Sequence, residues 1–212
     1  MKVEIWSDVM CPFCYIGKRK FENALSEFDH KGEVEIIWKS FQLNPAMKTE
    51  PGKNINQYLA ELKSWSIAEA KEMNDRVSGM AKEVGLNYDF NKAIVANSFD
   101  AHRLIQFAKT KKKGDEAEER IFKAYFTEGK NTDDHSTLLQ LGKEIGLDEN
   151  ELKEILESER FSQEVHNDIE EAQLIGVRGV PFFVFDRKLA VSGAQPQQVF
   201  MDTLKKAWEE KN

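Results

Sequence analysis

The pattern of apolar and polar positions divides the chain into two strand-containing ends and a long helical middle. An apolar stretch at Val3–Trp6 predicts a strand, and the amphipathic segment after Cys11 predicts a helix. A second strand is predicted over residues 34–39, which are rich in β-branched and aromatic side chains. Strand, helix and strand in this order form a βαβ unit, whose two strands are parallel and joined by a right-handed crossover.

The middle of the chain, from Ile55 to about Leu174, has apolar residues at helical spacing. Two helix starts carry capping-box signals, Ser66-x-x-Glu69 and Asp148-x-x-Glu151. The helix after Ser66 is predicted to bury one row of side chains, made of Met73, Val77, Met80 and Val84. The middle is therefore expected to be an all-helical insertion.

The C-terminal part of the chain returns to strands. The continuous apolar run Phe182–Phe185 predicts a buried strand, and the turn after it leads into a second strand at Leu189–Val191, which forms a hairpin. Pro196 begins a last amphipathic helix. We therefore expect an α/β fold with a central mixed sheet. Residues 1–54 and 175–212 form one domain with the order β-α-β then β-β-α, and residues 55–174 form the helical insertion subdomain.

Composition argues against several classes of partner. Charged residues make up 32% of the 212 residues and the net charge is −7, with both signs mixed, so the chain has no basic stripe of the kind that binds nucleic acid. No apolar run approaches membrane-spanning length, and the N-terminal residues lack the apolar region of a signal peptide. We therefore expect a cytoplasmic protein, monomeric or homodimeric, with neither nucleic-acid nor membrane partners.

Both cysteines of the chain lie in one motif, Cys11-Pro12-Phe13-Cys14, where the first strand runs into a helix. Two thiols separated by two residues on a first helical turn can close a small disulfide ring. The unpaired N–H groups and the positive dipole end of the helix favour the thiolate of the outer cysteine. The motif thus predicts Cys11 as a partly exposed nucleophile and Cys14 as a buried resolving thiol, with Pro12 and Phe13 supporting the site.

Other uses of two cysteines fit this spacing less well. A structural zinc site needs four ligands, and the chain has neither a second cysteine pair nor histidines at zinc-site spacing, so no metal site is expected. An iron–sulfur cluster shared between two chains is rarer still. Two unreactive core cysteines are the plainest alternative, but they would not account for the spacing or for Pro12 early in a helix. Structural disulfides are uncommon in the cytosol, which favours a redox-active pair.

Three short motifs follow one another along the chain. They are Ser7-Asp8-x-x-Cys11-Pro12-Phe13-Cys14-Tyr15-Ile16-Gly17, then Asn97-Ser98-x-x-Ala101-His102-Arg103, then Gly176-Val177-x-Gly179-Val180-Pro181-x-Phe183. In this order the sequence resembles, over essentially its whole length, the DsbA-like branch of the thioredoxin superfamily. Within that branch it is similar to the FrnE-type cytosolic group, which is related to 2-hydroxychromene-2-carboxylate isomerases and kappa-class glutathione transferases. The resemblance implies a thioredoxin fold and a thiol–disulfide oxidoreductase acting on disulfide-containing proteins or small molecules.

The resemblance also implies roles for residues beyond the two cysteines. Pro181 is expected to follow a cis peptide bond, so that the Val180 backbone can pair with an extended substrate lying across the dithiol. Phe13 stands where strongly oxidising relatives have histidine, and its apolar ring offers the thiolate no charge or hydrogen bond, so a lower reduction potential is expected. Asp8 is a candidate proton relay and His102 a candidate site residue from the insertion. An ordinary turn residue and a structural histidine are the alternative interpretations.

Two other functions stay open on the same resemblance. The related isomerases and transferases usually carry serine at the position of Cys11. The transferases also have an acidic residue that helps to hold glutathione where this chain has Ser192-Gly193-Ala194-Gln195. Despite these two differences, an isomerase or a glutathione-dependent transferase is the alternative enzyme. A redox-responsive binding protein is the non-enzymatic alternative. No bound cofactor is expected, and glutathione is a candidate redox co-substrate.

Overall fold

The computed structural model describes residues 1–210. The chain folds into two compact units: the first comprises Met1–Leu43 and the chain from Gln163 onward, and the second comprises Asn44–Ser162. The predicted domain boundaries, after residues 54 and 174, both lie closer to the C-terminus than the boundaries between these two units, which follow Leu43 and Ser162. Residues 211 and 212, which the prediction included in the first domain, lie outside the described residues.

The helices and strands follow one another along the chain in this order. The N-terminal segments are β1 (Lys2–Ser7), α1 (Pro12–Ser26), a 3₁₀ turn (Lys31–Glu33) and β2 (Glu35–Ser40). The middle segments are β3 (Glu50–Asn54), α2 (Ile55–Lys63), α3 (Ile67–Glu83), β4 (Ile94–Val95), α4 (Phe99–Thr110), α5 (Gly114–Lys123), a π-helical turn (Ala124–Glu128), α6 (His135–Glu144), α7 (Glu149–Leu156) and α8 (Ser162–Leu174). The C-terminal segments are β5 (Phe182–Phe185), β6 (Leu189–Ser192) and α9 (Gln197–Glu209).

The first unit is built on a four-stranded mixed sheet with the strand order β2-β1-β5-β6. Strand β1 runs parallel to β2 and antiparallel to β5, and β5 pairs antiparallel with β6. The predicted order, β-α-β followed by β-β-α around a mixed sheet, is confirmed. Because β1 and β2 are parallel, their carboxyl ends lie at the same end of the sheet. Helix α1 begins there, just after β1.

Helices α1 and α9 cover one face of the sheet. Phe183 of β5 lies opposite Ile5 of β1, and both side chains are fully buried. The Phe183 ring packs against Phe21 of α1 and Phe200 of α9, with ring centroids 5.5 and 4.7 Å away. Because successive side chains of a strand point to opposite faces, Ser7 shares this face with Ile5. The end of β1 therefore points a serine toward the side on which α1 lies.

Helix α8 covers the opposite face of the sheet. Trp6 of β1 and Val184 of β5 point to this face and pack with Ala172 of α8 and with Val177. The Trp6 side chain is fully buried. Burial on both faces accounts for the continuous apolar run of β5, because a strand with one face in water alternates apolar and polar residues.

Polar contacts also hold α8 to the sheet. The Trp6 indole N–H donates to the Asp168 carbonyl at 2.8 Å. The Lys39 ammonium donates to the carboxylates of Asp168 and Glu171, each at 2.9 Å. The sequence prediction placed this helix in the insertion, because helical periodicity shows that a helix has an apolar face but not which neighbour covers it. Its contacts with β1 and β2 assign it to the first unit.

The second unit is mainly helical, with an aromatic core. The most buried rings are Phe107 of α4, Phe122 of α5, and Tyr125 and Phe126 of the π-helical turn, each at most 1% exposed. The Phe126 ring stacks on Tyr88 with centroids 4.6 Å apart. Among residues 1–210, no helix combines the length and the apolar character needed to cross a membrane.

The second unit also contains a short two-stranded sheet that the sequence pattern did not indicate. Strand β3 pairs antiparallel with β4, with an irregular register between Glu50 and Asn54. The β3 sequence, Glu-Pro-Gly-Lys-Asn, has none of the β-branched or aromatic residues that mark strands. Pairing with β4 thus overrides a low intrinsic preference for the extended strand.

Helix α3 buries a different face from the one predicted. Val77 is buried as expected, but Met73 and Met80 are each 38% exposed. The buried face consists of Ala70, Asn74, Val77 and Ala81. Asn74 faces inward because its side-chain amide donates to the side-chain oxygen of Asn56 on α2 at 2.7 Å. The prediction for the two methionines is wrong because small residues and one paired amide form the packing face.

Candidate active site at the start of helix α1

The two cysteines lie on the first turn of α1, directly after the carboxyl end of β1. Cys11 is the N-cap residue, with an extended backbone (φ −87°, ψ 112°), and Pro12 follows it at the first helical position. The Cys11 N–H donates to the Asp8 carbonyl at 2.9 Å, and the Cys14 N–H donates to the Cys11 carbonyl at 3.0 Å. Pro12 suits this position because it has no N–H, and N–H groups of a first turn lack helical partners.

Both thiols are free and both are buried. Cys14 is 1% exposed, as predicted, but Cys11 is only 4% exposed, so the expectation of a partly exposed Cys11 is wrong. The Val180 backbone lies against Cys11, with the sulfur 3.6 Å from the Val180 carbonyl oxygen in a thiol hydrogen bond. Phe13, between the two cysteines, is 39% exposed. The exposed part of the motif is thus an aromatic ring, and the nucleophile candidate lies beneath the neighbouring loop.

The Val180–Pro181 segment is held closely against α1. The peptide bond between Val180 and Pro181 is cis. The Pro181 carbonyl accepts the Gly193 N–H at 2.8 Å. On the other side, a Cβ atom at Gly17 would lie 2.9 Å from Pro181 Cγ and 3.5 Å from Phe183 Cζ. Glycine at position 17 is therefore what allows α1 to approach the proline so closely.

The Cys14 sulfur has a mixed electrostatic environment. Burial raises the pKa of the Cys14 thiol well above its ordinary value, and a hydrogen bond with Cys11 and its charge raise this pKa further. Two hydrogen bonds act in the opposite direction, one from the Asp8 backbone and one from the Ser7 side chain. Cys14 is therefore a thiol at neutral pH, with two donors aimed at its sulfur.

Asp8 is fully buried, and its carboxylate binds main-chain amides. One oxygen accepts the Leu43 N–H at 2.7 Å, and the other accepts the Met10 N–H at 3.4 Å. These bonds fix the loop between β1 and α1 and tie it to the segment after β2. Such contacts are those of a turn-forming carboxylate. A proton-relay role for Asp8 stays a prediction.

His102 lies on α4 in the second unit, whereas Cys11, Cys14, Val180 and Pro181 lie in the first. Its side chain is 1% exposed. A role for His102 in the reaction stays a prediction.

The other polar residues of the second motif stabilise the second unit. Asn97 accepts the Phe99 N–H at 2.9 Å and donates to the Met47 carbonyl at 2.7 Å. Arg103, which is 4% exposed, pairs with Asp100 at 2.7 Å. It also donates to main-chain carbonyls in the last turn of α7 and in the segment after it, those of Ile155, Ser158 and Arg160. A guanidinium suits this position because helix C-terminal carbonyls lack helical partners.

Sequence reasoning missed Ser7 as a residue of the site. Ser7 contributed only to the resemblance, although it ends the strand that leads into the dithiol. Its hydrogen bond to Cys14 could not be read from the motif, because a serine at a strand end is ordinary. Within residues 1–210 there is no group of three or more His, Cys, Asp or Glu side chains that could hold a metal ion.

Comparisons with known proteins agree with this geometry. The family model of the DSBA-like thioredoxin domain matches residues 2–205. The protein YwbO of Bacillus subtilis strain 168 is 30% identical over an alignment of 209 positions, and the match covers 93% of this chain and 92% of YwbO. The crystal structure of the probable DsbA oxidoreductase SCO1869 from Streptomyces coelicolor is 35% identical and superposes with a TM-score of 0.94, covering 100% of this chain and 92% of that one.

More distant structures share the fold. The cytosolic disulfide reductase DsbM from Pseudomonas aeruginosa is 16% identical with a TM-score of 0.69, covering 99% of each chain. A 2-hydroxychromene-2-carboxylate isomerase is 14% identical with a TM-score of 0.75, covering 100% of this chain and 98% of that one. Both the thioredoxin fold and the resemblance to the DsbA-like branch of the thioredoxin superfamily are therefore confirmed. With a family match along almost its whole length and the dithiol at the start of α1, the chain belongs to the DsbA-like thioredoxin domain family.

Proposed function

We propose that this protein is a thiol–disulfide oxidoreductase in which Cys11 is the nucleophile and Cys14 the resolving thiol. The observation that carries the proposal is the difference between the two sulfurs on the first turn of α1. Both cysteines are buried, but Cys11 is the N-cap residue of α1 with its sulfur beside the Val180 carbonyl, whereas Cys14 lies within the first turn and its thiol has a raised pKa. The thiolate is the attacking form in disulfide exchange, and of the two cysteines only Cys11 lies at the helix N-terminus, so it is the candidate nucleophile.

The reaction proceeds in two exchanges when the protein acts as a reductant. The Cys11 thiolate attacks one sulfur of a substrate disulfide, which forms a mixed disulfide and releases the first substrate thiol. Cys14 then loses its proton and attacks the Cys11 sulfur, which closes the Cys11–Cys14 disulfide and releases the second thiol. The substrate gains two electrons and two protons, and the protein loses the same number.

The surroundings of the dithiol suit this sequence of steps. The Val180 carbonyl that accepts the Cys11 thiol in the free protein becomes available when Cys11 is bonded to a substrate. An extended substrate could then pair with the Val180 backbone in the manner of an added strand. The raised pKa of Cys14 keeps this thiol unreactive toward solvent oxidants before the mixed disulfide forms.

The proposal includes a cytoplasmic location and reduction of protein or small-molecule disulfides, with two glutathione molecules restoring the dithiol. Two observations support this part of the proposal. Position 13 holds phenylalanine and not histidine. DsbM, one of the structures with the same fold, is described as a cytosolic disulfide reductase, and its structure has also been determined with glutathione. Phe13 offers the thiolate no hydrogen bond, which favours a less oxidising couple.

Trapping of the mixed disulfide tests the assignment of the two cysteines. The Cys14→Ser variant should form a covalent adduct with a disulfide-containing peptide, visible by mass spectrometry and released by dithiothreitol. The matched Cys11→Ser variant, which retains only Cys14 with its raised thiol pKa, should form little or none. An adduct on Cys14 in the second variant, with none on Cys11 in the first, would reverse the assignment. Glutathione conjugation to an electrophile that persists in the Cys14→Ser variant would support the transferase alternative.

A further inference from the structure

Ser7 places a hydroxyl group in the buried interior of the first unit. It is the last residue of β1, is 1% exposed, and lies in register with Ser40 of β2. Its carbonyl accepts the Phe41 N–H at 2.9 Å, so the neighbouring strand fixes its backbone. Its side chain points to the face of the sheet that α1 covers, and there it bonds to the Cys14 sulfur. The hydroxyl is therefore held against the thiol by the sheet.

A second donor converges on the same sulfur. The Asp8 backbone also bonds to Cys14, and the Asp8 loop is fixed in turn by the bonds of its carboxylate to the Met10 and Leu43 amides. Sulfur in a neutral thiol is a weak acceptor, whereas hydrogen bonds to an ionised acceptor are roughly twice as strong as neutral ones. The two hydrogen bonds therefore stabilise the Cys14 thiolate more strongly than they stabilise the Cys14 thiol, although burial keeps the pKa of this thiol high.

We propose that Ser7 is a positioning residue whose hydroxyl supports the Cys14 thiolate at the moment it resolves the mixed disulfide. This inference rests on the proposed function. In the step concerned, the Cys14 proton leaves to solvent and the sulfur electron pair forms the bond to Cys11. The Cys11–substrate S–S bond breaks, and the substrate departs with the electron pair as a thiolate. The Ser7 hydroxyl donates to the sulfur that carries the charge before the new bond forms.

The test measures alkylation of Cys14 by iodoacetamide as a function of pH in the Cys11→Ser background. Adding Ser7→Ala should move the midpoint of the alkylation profile to higher pH and slow alkylation below that midpoint by about three- to tenfold. Ser7→Thr retains the hydroxyl and should restore the profile, whereas Ser7→Val, which has the same shape without the hydroxyl, should not. This Thr and Val pair keeps the test decisive if the alanine variant folds poorly.

Ser40→Ala is the matched control, since it removes a buried hydroxyl at the same end of the neighbouring strand. Its alkylation profile should equal that of the parent. An unchanged profile in Ser7→Ala and Ser7→Val, or an equal shift in Ser40→Ala, would overturn the proposal. These readouts do not require disulfide exchange, so they remain valid if the proposed function fails.

A second measurement follows the resolving step directly. The mixed disulfide of the protein with glutathione is formed at Cys11, and the release of glutathione is timed after a pH jump. Release should be about three- to tenfold slower in Ser7→Ala than in the parent and normal in Ser7→Thr. Equal release rates in Ser7→Ala and the parent would contradict a role in resolution.

Discussion

The central sheet of the first unit and the α2–α3 hairpin of the second unit differ in how their apolar residues are used. In the first, α helices cover both faces of the sheet, so that almost every side chain of β1 and β5 is buried. In the second, the hairpin of α2 and α3 leaves large apolar side chains partly in water, namely Leu62, Trp65, Ile67, Met73 and Met80. The sheet positions the dithiol through dense packing, whereas the hairpin tolerates exposed apolar side chains. Substitutions should therefore be far more costly around the sheet than on α3.

The largest effect is expected for Phe183→Ala in the core of the first unit. Phe183 is fully buried between α1, α9 and the sheet, and truncation leaves a cavity that the surrounding rings cannot fill. We expect a loss of about 3–5 kcal/mol in the free energy of unfolding, measured by urea denaturation. Phe13→Ala removes the same ring from a 39% exposed position and should cost much less. Equal losses in the two variants would contradict the account of the first unit.

The next largest effect is expected for Gly17→Ala. The new methyl group would lie 2.9 Å from Pro181 Cγ and would push the proline segment away from α1. We expect a loss of about 1–3 kcal/mol in the free energy of unfolding. The matched variant is Gly79→Ala in α3, where the new methyl group would have no described atom within 4 Å apart from its own residue, its chain neighbours and the adjacent helix backbone. It should gain up to about 1 kcal/mol from helix propensity. Thermal unfolding of both variants measures this difference in stability. Similar stability in Gly17→Ala and Gly79→Ala would show that α1 can move away from Pro181 at no cost.

A smaller and pH-dependent effect is expected for Glu171→Gln. Partial burial acts to raise the pKa of Glu171, but hydrogen bonds from Arg187 and Lys39 outweigh it and lower this pKa below its ordinary value. A carboxylate with a lowered pKa contributes stability above its ordinary pKa and loses that contribution as the pH falls.

At pH 7 the Glu171→Gln variant should be less stable than the parent by about 1 kcal/mol, and the difference should shrink below about pH 4. Urea denaturation at a series of pH values measures this difference. Glu170→Gln, at the exposed neighbouring position, is the matched control and should change the stability at pH 7 by less than about 0.5 kcal/mol. A constant difference for Glu171→Gln across the acid range would contradict the ionic role of Glu171.

The smallest effect is expected for Met80→Gln on α3. Met80 is 38% exposed and lies outside the buried face of this helix, so the free energy of unfolding should change by less than about 0.5 kcal/mol. Val77→Ala on the buried face should cost clearly more in the same urea denaturation experiment. A large loss in Met80→Gln would indicate that this face of α3 is covered by another molecule in solution.

Most of the first unit could be predicted because its signals are local. The apolar run of β5 predicts a buried strand, and Pro12 predicts the start of α1. The Cys11–Cys14 spacing predicts a dithiol on the first turn of that helix. The unit to which α8 belongs could not be predicted, because it depends on Trp6 and Lys39, more than 120 residues away along the chain.

The candidate site was predicted in its cysteines and, through the resemblance, in Val180 and Pro181, but not in the burial of Cys11 or the contact from Ser7. The burial of Cys11 depends on the Val180 loop, and the hydrogen bond from Ser7 to Cys14 depends on the approach of α1 to β1. The buried face of α3 was missed for a related reason, since the pairing of Asn74 with Asn56 reverses the usual preference of polar residues for water. Tertiary contacts of this kind leave no signal in apolar periodicity.

Equilibration of the purified protein with glutathione buffers tests the central claim most directly, with the fraction oxidised read by thiol alkylation. The account predicts one reversible two-electron transition of the Cys11–Cys14 pair, abolished in both Cys11→Ser and Cys14→Ser, at a potential well below about −120 mV, the approximate value of a strong oxidant of this family. Cysteines that stay reduced in every buffer would contradict the dithiol mechanism, and a transition near −120 mV would contradict its reducing direction.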